Sequence, residues 1–467
     1  PAAGAGGRPR GRARNPRGVD IRELFVVPPE RERRYNTNPT GHWLGEILLV
    51  LDRVGRLLEP LFPKFVEKKA ITKAMAFVHE RLNDEDGLGG IFPAMTNALM
   101  AFDALGFPRN HPDVLIVRKS IDKLLVARDG ESYCQPCVSP VWDTGLALHA
   151  MLEAGAAGGS APVDAAARWL KERQILDVKG DWTSTRGHVR PGGWAFQYRN
   201  DHYPDVDDTA VVAMALHRAD PEAHKESIAR AAEWIEGMQS ANGGWGAFDA
   251  DNTHYFLQHI PFADHGALLD PPTADVSARC IGFLAQIGRG RDHPVMVRAL
   301  DYLRREQEAD GSWFGRWGTN YIYGTWSALA AFNAAGEDMA VPHIQKAVHW
   351  LKSRQRANGG WGEDCATYWT ERKNEAKAST PSQTAWAVLG LMAAGETDGD
   401  AVARGIAYLT AAPREGGKWA ETFYNAVGFP RVFYLSYHGY SAYFPLWALA
   451  RYRTLRAANS RRPAYGL

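Results

Sequence analysis

The chain has 467 residues, enough for two or three domains that each bury a core. Its 54 Lys and Arg against 53 Asp and Glu leave a formal net charge of +1, which excludes the strong field of a nucleic-acid or other polyanion binder and suits a small neutral partner. Four cysteines are too few for a disulfide framework and match a reducing compartment, the cytosol by default. In chain order, residues 1–19 are rich in Arg, Gly, Pro and Ala and read as a disordered segment without the apolar core of a signal peptide. Next, GHWLGEILLVLDRVGRLLEPLFPKF sets Leu44, Ile47, Leu48, Leu51, Val54, Leu58 and Leu61 on one broad helical face. Its longest apolar run, Ile47 to Leu51, is far short of the ~20 residues a spanning helix needs. Two readings stand level for it: a helix packed on a core, or one lying in a membrane interface with Arg53, Arg56, Lys64, Lys68 and Lys69 at the headgroups. Cys134 and Cys137 form a CxxC, but no second pair or HxxxH completes a zinc site, so no metal is expected.

From about Asn38 onward, segments such as TAVVAMALHRAD, QTAWAVLGLMAAG and FPLWALARYRTL carry apolar residues at helical spacing and no sustained alternation, so the fold is expected to be all-α. A turn element Q-x-x-x-G-x-W recurs between them: Gln239, Gly243, Trp245; Gln307, Gly311, Trp313; Gln355, Gly359, Trp361. Weaker copies flank these, with Gln174 assigned to Gly180 and Trp182, and with Gly417 and Trp419 where Pro413 replaces the glutamine. The spacing leaves room for a helix pair plus a loop per repeat, and an α/α barrel is the natural closure. Gly permits a tight turn there, while the Gln amide can hydrogen-bond helix ends and tie one repeat to the next. A carbohydrate-stacking role for the tryptophans would not need the Gln and Gly partners.

In YPDVDDTAVV, Asp205, Asp207 and Asp208 crowd the start of an apolar helix. N-capping accounts for one or two of them but does not call for three. An EF-hand would need Gly and Glu where Ala210 and Leu216 stand, and a DDxxD magnesium motif is broken by Thr209, Ala210 and Val211. Acid chemistry remains: carboxylates clustered in a low-dielectric site cannot all ionise, so one keeps a proton that it can donate. An isolated alkene needs a stronger acid than imidazolium, and the carbocation it forms must be lined by aromatic faces rather than nucleophiles. Such residues stand just before the motif in GGWAFQY and after it in WGAFD, RWGTNYIYG and GFPRVFYLSYHGY, the last with Phe429, Phe433, Tyr434, Tyr437 and Tyr440.

With SPVWDTGLAL, PDVDDTAVV, NGGWGAFDADNT, DGSWFGRWGTNYIYGT, GGWGEDC and STPSQTAWA in this order and QW repeats between them, the chain from about residue 21 onward resembles the squalene-hopene cyclases. The related oxidosqualene cyclases carry Asp-Cys-Thr-Ala-Glu where DVDD stands, so the resemblance implies squalene without an epoxide as substrate and no cofactor. It implies Asp207 as proton donor, with Asp205 and Asp208 holding its orientation and acidity. Arg279 stands where some members have a histidine, and Tyr323 resembles a tyrosine ordering water beside the acid. By the same resemblance Phe196, Phe248, Phe429 and Phe433 face successive cationic centres. Trp142, Trp317, Tyr437 and Tyr440, together with Tyr434, line the substrate cavity, and Asp143 and Asp275 give polar support. Phe92 stands where some relatives have a glutamine near the terminating water. The implied architecture is an α/α barrel over residues 132–467 and a truncated second α-barrel over 20–131, with the cavity between them and the helix around Ile47 to Leu61 dipping into one leaflet. The chain is thus expected as a monotopic protein on the cytoplasmic side of the cell membrane, with squalene and membrane lipid as partners, a homodimer as its assembly, and no nucleic acid. Family members have a longer N-terminal stretch, so the alternatives are a cyclase of another linear polyprene and a non-catalytic lipid-binding chain.

Overall fold

A computed structural model describes residue 20 and residues 22–32, 36–38, 40–261 and 268–466; the segment 1–19 expected to be disordered lies outside the described residues. By contacts the chain divides into two units: residues 1–139 with 197–200 and 254–269, and residues 140–196, 201–253 and 270–467.

The first unit holds α1 (Trp43–Leu58), α2 (Lys64–Arg81), a hairpin of β1 (Leu82–Asn83) and β2 (Gly87–Leu88), α3 (Phe92–Ala104), α4 (Pro112–Leu124), and a hairpin of β3 (Leu125–Arg128) and β4 (Glu131–Cys134). Its buried core is small: Met95, Ala98 and Phe102 from α3 against Val114, Val117 and Leu124 from α4. Helix α1 buries only Gly45 and Leu49. Of its broad apolar face, Ile47, Leu51, Val54 and Leu58 are exposed, and just beyond it Leu61 is 76% exposed, so the core-packed reading of this helix is not what the fold adopts. No helix among the described residues is long and apolar enough to cross a membrane.

The second unit runs through α5 (Pro140–Glu153), α6 (Ala161–Lys171), the single turn α7 (Thr183–Arg186), α8 (Val206–Ala219), α9 (Lys225–Gly237), α10 (Ala274–Gln286), α11 (Pro294–Arg305), α12 (Tyr321–Ala334), α13 (Pro342–Arg354), α14 (Pro381–Ala393), α15 (Asp400–Ala411) and α16 (Tyr440–Ala457). Two hairpins precede α16: β5 (Arg414–Glu415) with β6 (Lys418–Trp419), and β7 (Ala426–Phe429) with β8 (Phe433–Leu435). Helices α5, α8, α10, α12, α14 and α16 pack each on the next, and α16 returns to α5, closing an inner ring. Their sequences explain the placement. Helices α10, α12 and α14 are buried nearly all round, as enclosed helices must be, and small residues such as Ala328, Ala331, Ala385 and Ala387 let neighbours approach. The intervening helices are one-sided: α11 buries Val295, Met296, Ala299, Leu300 and Leu303 at spacings of three and four, and lies outside the ring against α10.

The QW element is the joint between repeats. Gln239 Nε2 donates to Gly243 O at 2.9 Å and to Val295 O, in the first turn of the next outer helix, at 3.0 Å. Gln307 does the same to Gly311 and His343, and Gln355 to Gly359 and Ala401. Each indole returns a bond to the end of the preceding outer helix, Trp245 to Ile235, Trp313 to Leu303 and Trp361 to Leu351. Each tryptophan's backbone N–H donates to a hydroxyl on the following inner helix, Ser277, Thr325 and Thr384 in turn. The turn glycines adopt left-handed φ, and at Gly243 a Cβ would stand 2.4 Å from Arg298 O. The copy assigned to Gln174, Gly180 and Trp182 is corrected: Gln174 donates to Gly192 O and Ser227 O, and Trp194 donates to Leu170 O, so the copy is Gln174, Gly192, Trp194 with an excursion containing α7 inserted. Trp419 keeps the indole bond, to Leu409 O, without a glutamine.

At the carboxyl ends of the inner helices lies a buried ion cluster. Glu153 of α5 accepts from Arg451 of α16 at 2.9 and 3.1 Å and from Arg218 of α8 at 2.6 Å, and Arg218 also donates to His149 Nδ1 at 3.2 Å. The segment after α16 passes over this end. Thr397 bonds Arg461 O, Asn333 bonds Pro463 O, and the Tyr465 ring lies 4.6 Å from the Arg218 guanidinium carbon.

Candidate active site

At the other end of the same ring, Asp205 is the N-cap of α8: its Oδ1 accepts the backbone N–H of Asp207 at 2.7 Å and of Asp208 at 3.2 Å. The cap dictates the local geometry, since it fixes the two following carboxylates in the first turn. Asp205, Asp207 and Asp208 are all buried. Asp207 Oδ1 and Asp208 Oδ1 have no hydrogen-bond partner among the described residues. Burial pushes all three carboxyls up. Asp205 and Asp208 are driven well above the usual range by desolvation and then by neighbouring carboxylates. Asp207 reaches about 7, because desolvation and Asp275 raise it while Arg279 pulls it down.

Arg279, on α10, is 1% exposed, and its Nε lies 3.8 Å from Asp207 Oδ1 without a hydrogen bond. Its fork is taken elsewhere: Nη1 donates to Ser327 Oγ at 2.9 Å and Nη2 to Tyr323 Oη at 3.0 Å, both on α12. The guanidinium also lies 4.5 Å from the Trp326 ring centroid. A permanent cation is therefore locked beside the middle aspartate by two hydroxyls and an indole. Tyr323 is itself buried, and desolvation raises its phenol.

Asp275, in the first turn of α10, accepts Thr273 Oγ1 at 2.6 Å and, through Oδ2, the N–H groups of Arg316 and Trp317 at 2.8 and 2.9 Å. It thereby fixes the backbone that carries Trp317. Asp143 of α5 is a charge neighbour of Asp208 and hydrogen-bonds Tyr443.

The aromatic residues singled out in the sequence fall in this unit. Trp142 Nε1 donates to Tyr440 Oη at 2.9 Å, and Tyr440 stacks on Tyr437 at 4.5 Å between centroids. Phe196 meets Tyr437 edge-on at 6.2 Å, Phe248 meets Trp317 at 6.4 Å, and Phe429 meets Phe433 at 5.2 Å. Phe196, Phe248, Trp317, Phe429, Phe433 and Tyr437 are only half-buried and keep ring surface open. Tyr434 donates its phenol to Cys365 O at 3.2 Å.

Several groups escaped the sequence reading. Ser327 and Trp326 complete the Arg279 socket. Asp270 accepts the N–H groups of Ala247, Phe248 and Asp249 and so holds Phe248. Glu363, half-buried and pushed up to about 7 by desolvation, accepts the N–H groups of Asn320 and Ile322 at the start of α12. The visible signal for these carboxylates was one acid among several in the loops before inner helices, too common a feature to single out. Cys134 and Cys137 are free thiols, and no cluster of three or more His, Cys, Asp or Glu suited to a metal forms among the described residues.

The arrangement offers a carboxylic acid held protonated up to near-neutral pH beside a fixed cation, in a unit whose loops present aromatic faces. Comparison with known proteins agrees. The model of the squalene-hopene cyclase C-terminal domain matches residues 138–454, and that of the N-terminal domain matches residues 8–130, which brings residues 8–19 into the family's pattern. The squalene-hopene cyclase of Zymomonas mobilis is 55% identical over 471 residues, covering 97% of this chain and 70% of the relative. That of Bradyrhizobium diazoefficiens is 54% identical, covering 98% and 70%. That of Alicyclobacillus acidocaldarius is 41% identical, covering 94% and 69%. Matched by both domain models along nearly its whole length, the chain belongs to the squalene-hopene cyclase family.

Proposed function

We propose that this chain cyclises squalene to hopene, an isomerisation that needs no redox partner because every bond made is balanced by a π bond consumed. The observation that carries the reading is the identity of 55% to a squalene-hopene cyclase over 97% of the chain, together with the burial of the Asp205, Asp207 and Asp208 cluster. In the mechanism we favour, the terminal alkene takes the Asp207 proton with its π pair, leaving a tertiary cation. Each following alkene attacks the cation before it and passes the charge along. Water finally removes a proton to leave hopene, or adds to the last cation to leave hopanol, and solvent returns a proton to Asp207.

Each group has a physical task. Arg279 stabilises the carboxylate left after donation, with Tyr323 and Ser327 holding the guanidinium in place. Asp205 aims the helix start, and Asp208 withholds its own charge because burial favours its neutral form. The half-buried rings of Phe196, Phe248, Trp317, Phe429, Phe433 and Tyr437 would stabilise positive charge through their quadrupoles without forming bonds. We also place the chain peripherally on a membrane, from which an apolar substrate would be drawn; the exposed Ile47, Leu51, Val54, Leu57, Leu58 and Leu61 support this.

The test is to incubate the purified chain with squalene in detergent, beside Asp207→Asn, and to identify products by gas chromatography and mass spectrometry. Pentacyclic product from the parent and none from the variant is the expected result. Turnover only of a different polyprene would move the substrate assignment. A folded chain that turns over none would mark it as non-catalytic.

A further inference from the structure

We propose that Asn425, braced by Glu421, is a positioning residue that sets where Tyr437, Tyr440 and the Trp317 loop stand against the cationic intermediates, and so governs how far ring closure proceeds. The inference rests on the cyclase reading above.

Asn425 is 2% exposed and sits just before β7, where three segments meet. Its side chain grips the peptide group of Tyr437 from both sides: Oδ1 accepts Tyr437 N–H at 2.9 Å and Nδ2 donates to Tyr437 O at 3.3 Å. The same carbonyl accepts Tyr440 N–H at 3.1 Å, so the clamp also fixes the residue that opens α16. The Asn425 main chain joins two further segments, its N–H donating to Leu435 O and its carbonyl accepting Thr319 N–H, both at 3.1 Å. Two residues on, the strand is tied to the Trp317 loop by Val427 N–H donating to Trp317 O at 3.2 Å.

Glu421 anchors this junction to the barrel. Its Oε1 accepts Asn425 Nδ2 at 3.2 Å and Ser382 Oγ at 2.6 Å, and its Oε2 accepts Ser382 N–H, in the first turn of α14, at 2.9 Å. Two of the rings so held, Tyr437 and Trp317, are not sealed in the core, while Tyr440, stacked on Tyr437, is buried. Tyr437 is half-buried, stacks on Tyr440 and meets Phe196 edge-on, while Trp317 meets Phe248. Cation stabilisation by a ring face falls away steeply with displacement, so a shift of the Tyr437 peptide changes which cation is stabilised without touching the acid.

The experiment compares the parent with Asn425→Ala and with Asn425→Asp, which keeps an acceptor for the Tyr437 amide. The first readout is the ratio of partly to fully cyclised product per squalene consumed, which does not depend on how much folded enzyme is present. It should rise roughly tenfold in Asn425→Ala and less in Asn425→Asp. An unchanged ratio in folded variants overturns the inference, because a merely structural residue would lower total turnover alone. The second readout is the affinity for a long-chain tertiary ammonium relative to the neutral alcohol of the same chain length. That preference should drop roughly tenfold in Asn425→Ala, and an undiminished preference likewise overturns the inference. Failure of the parent to cyclise squalene would overturn the cyclase reading, and the ammonium preference would still decide the role of Asn425.

Discussion

Asp207 is balanced between burial, which favours its neutral form, and Arg279, which favours its charged form, and it titrates near 7. Two consequences follow from that balance. Activity should be full below this value and decline as pH rises through it, read as turnover against pH, since only the protonated acid can donate. Stability should move the same way. A carboxyl raised on folding binds more protons in the native state between about 4 and 7, so ionising it costs native stability as pH rises across that window. Asp207→Asn, which cannot ionise, should therefore unfold at a higher denaturant concentration than the parent at pH 8, by roughly 1–3 kcal/mol, with the difference shrinking toward pH 4. A variant less stable at both values would refute the balance. The trio itself was legible, because three acids at one helix start exceed what capping requires. The socket of Ser327 and Trp326 was not, because those residues meet Arg279 only through the packing of α10 on α12.

At the scale of elements, the repeats were legible wherever Gln, Gly and Trp kept their spacing, and the structure gives each the same three joints. The Gln174 copy was misassigned because Trp182 lies closer in sequence than Trp194. The Gly-Gly-Trp at 192–194, matching those at 243–245 and 359–361, was the better guide. Helix α1 shows the other limit. Its pattern announces an apolar face but not what covers it, and only the fold shows that face exposed, with Leu57 78% open. Leu51→Glu with Leu57→Glu should reduce sedimentation with phospholipid vesicles by roughly tenfold or more while leaving turnover in detergent near that of the parent. Unchanged vesicle binding would remove α1 from the membrane face.

Across the whole chain, the charged cluster at the far end of the ring responds to pH in the opposite direction from the aspartates: it is weakened by acid. Burial and the nearby Arg218 hold His149 down to about 3, with Nε2 donating to Val211 O and Nδ1 accepting from Arg218. Burial alone would raise Glu153, but Arg451 and Arg218 bring it to about 2. Both groups bind fewer protons in the native state than in the unfolded one, so their stabilisation is complete above pH 6.5 and is lost as pH falls toward 3. In a series of denaturant titrations from pH 7 to pH 4, the stability of His149→Gln relative to the parent should rise as pH falls. An identical slope would mean that His149 titrates freely. The barrel itself was foreseen from its repeats. The closing contacts were not, because Glu153 with Arg451 and Trp142 with Tyr440 each join residues 298 positions apart.

That separation has a consequence during synthesis. A ribosome releases α5, α8 and the aspartate cluster long before α16, so the residues that shut the ring are the last of the ring to be made. Only when residues 440–451 have emerged and docked on α5 can the ring shut. A chain stalled before α16 would hold Asp205, Asp207 and Asp208 without the helix that closes the ring around them.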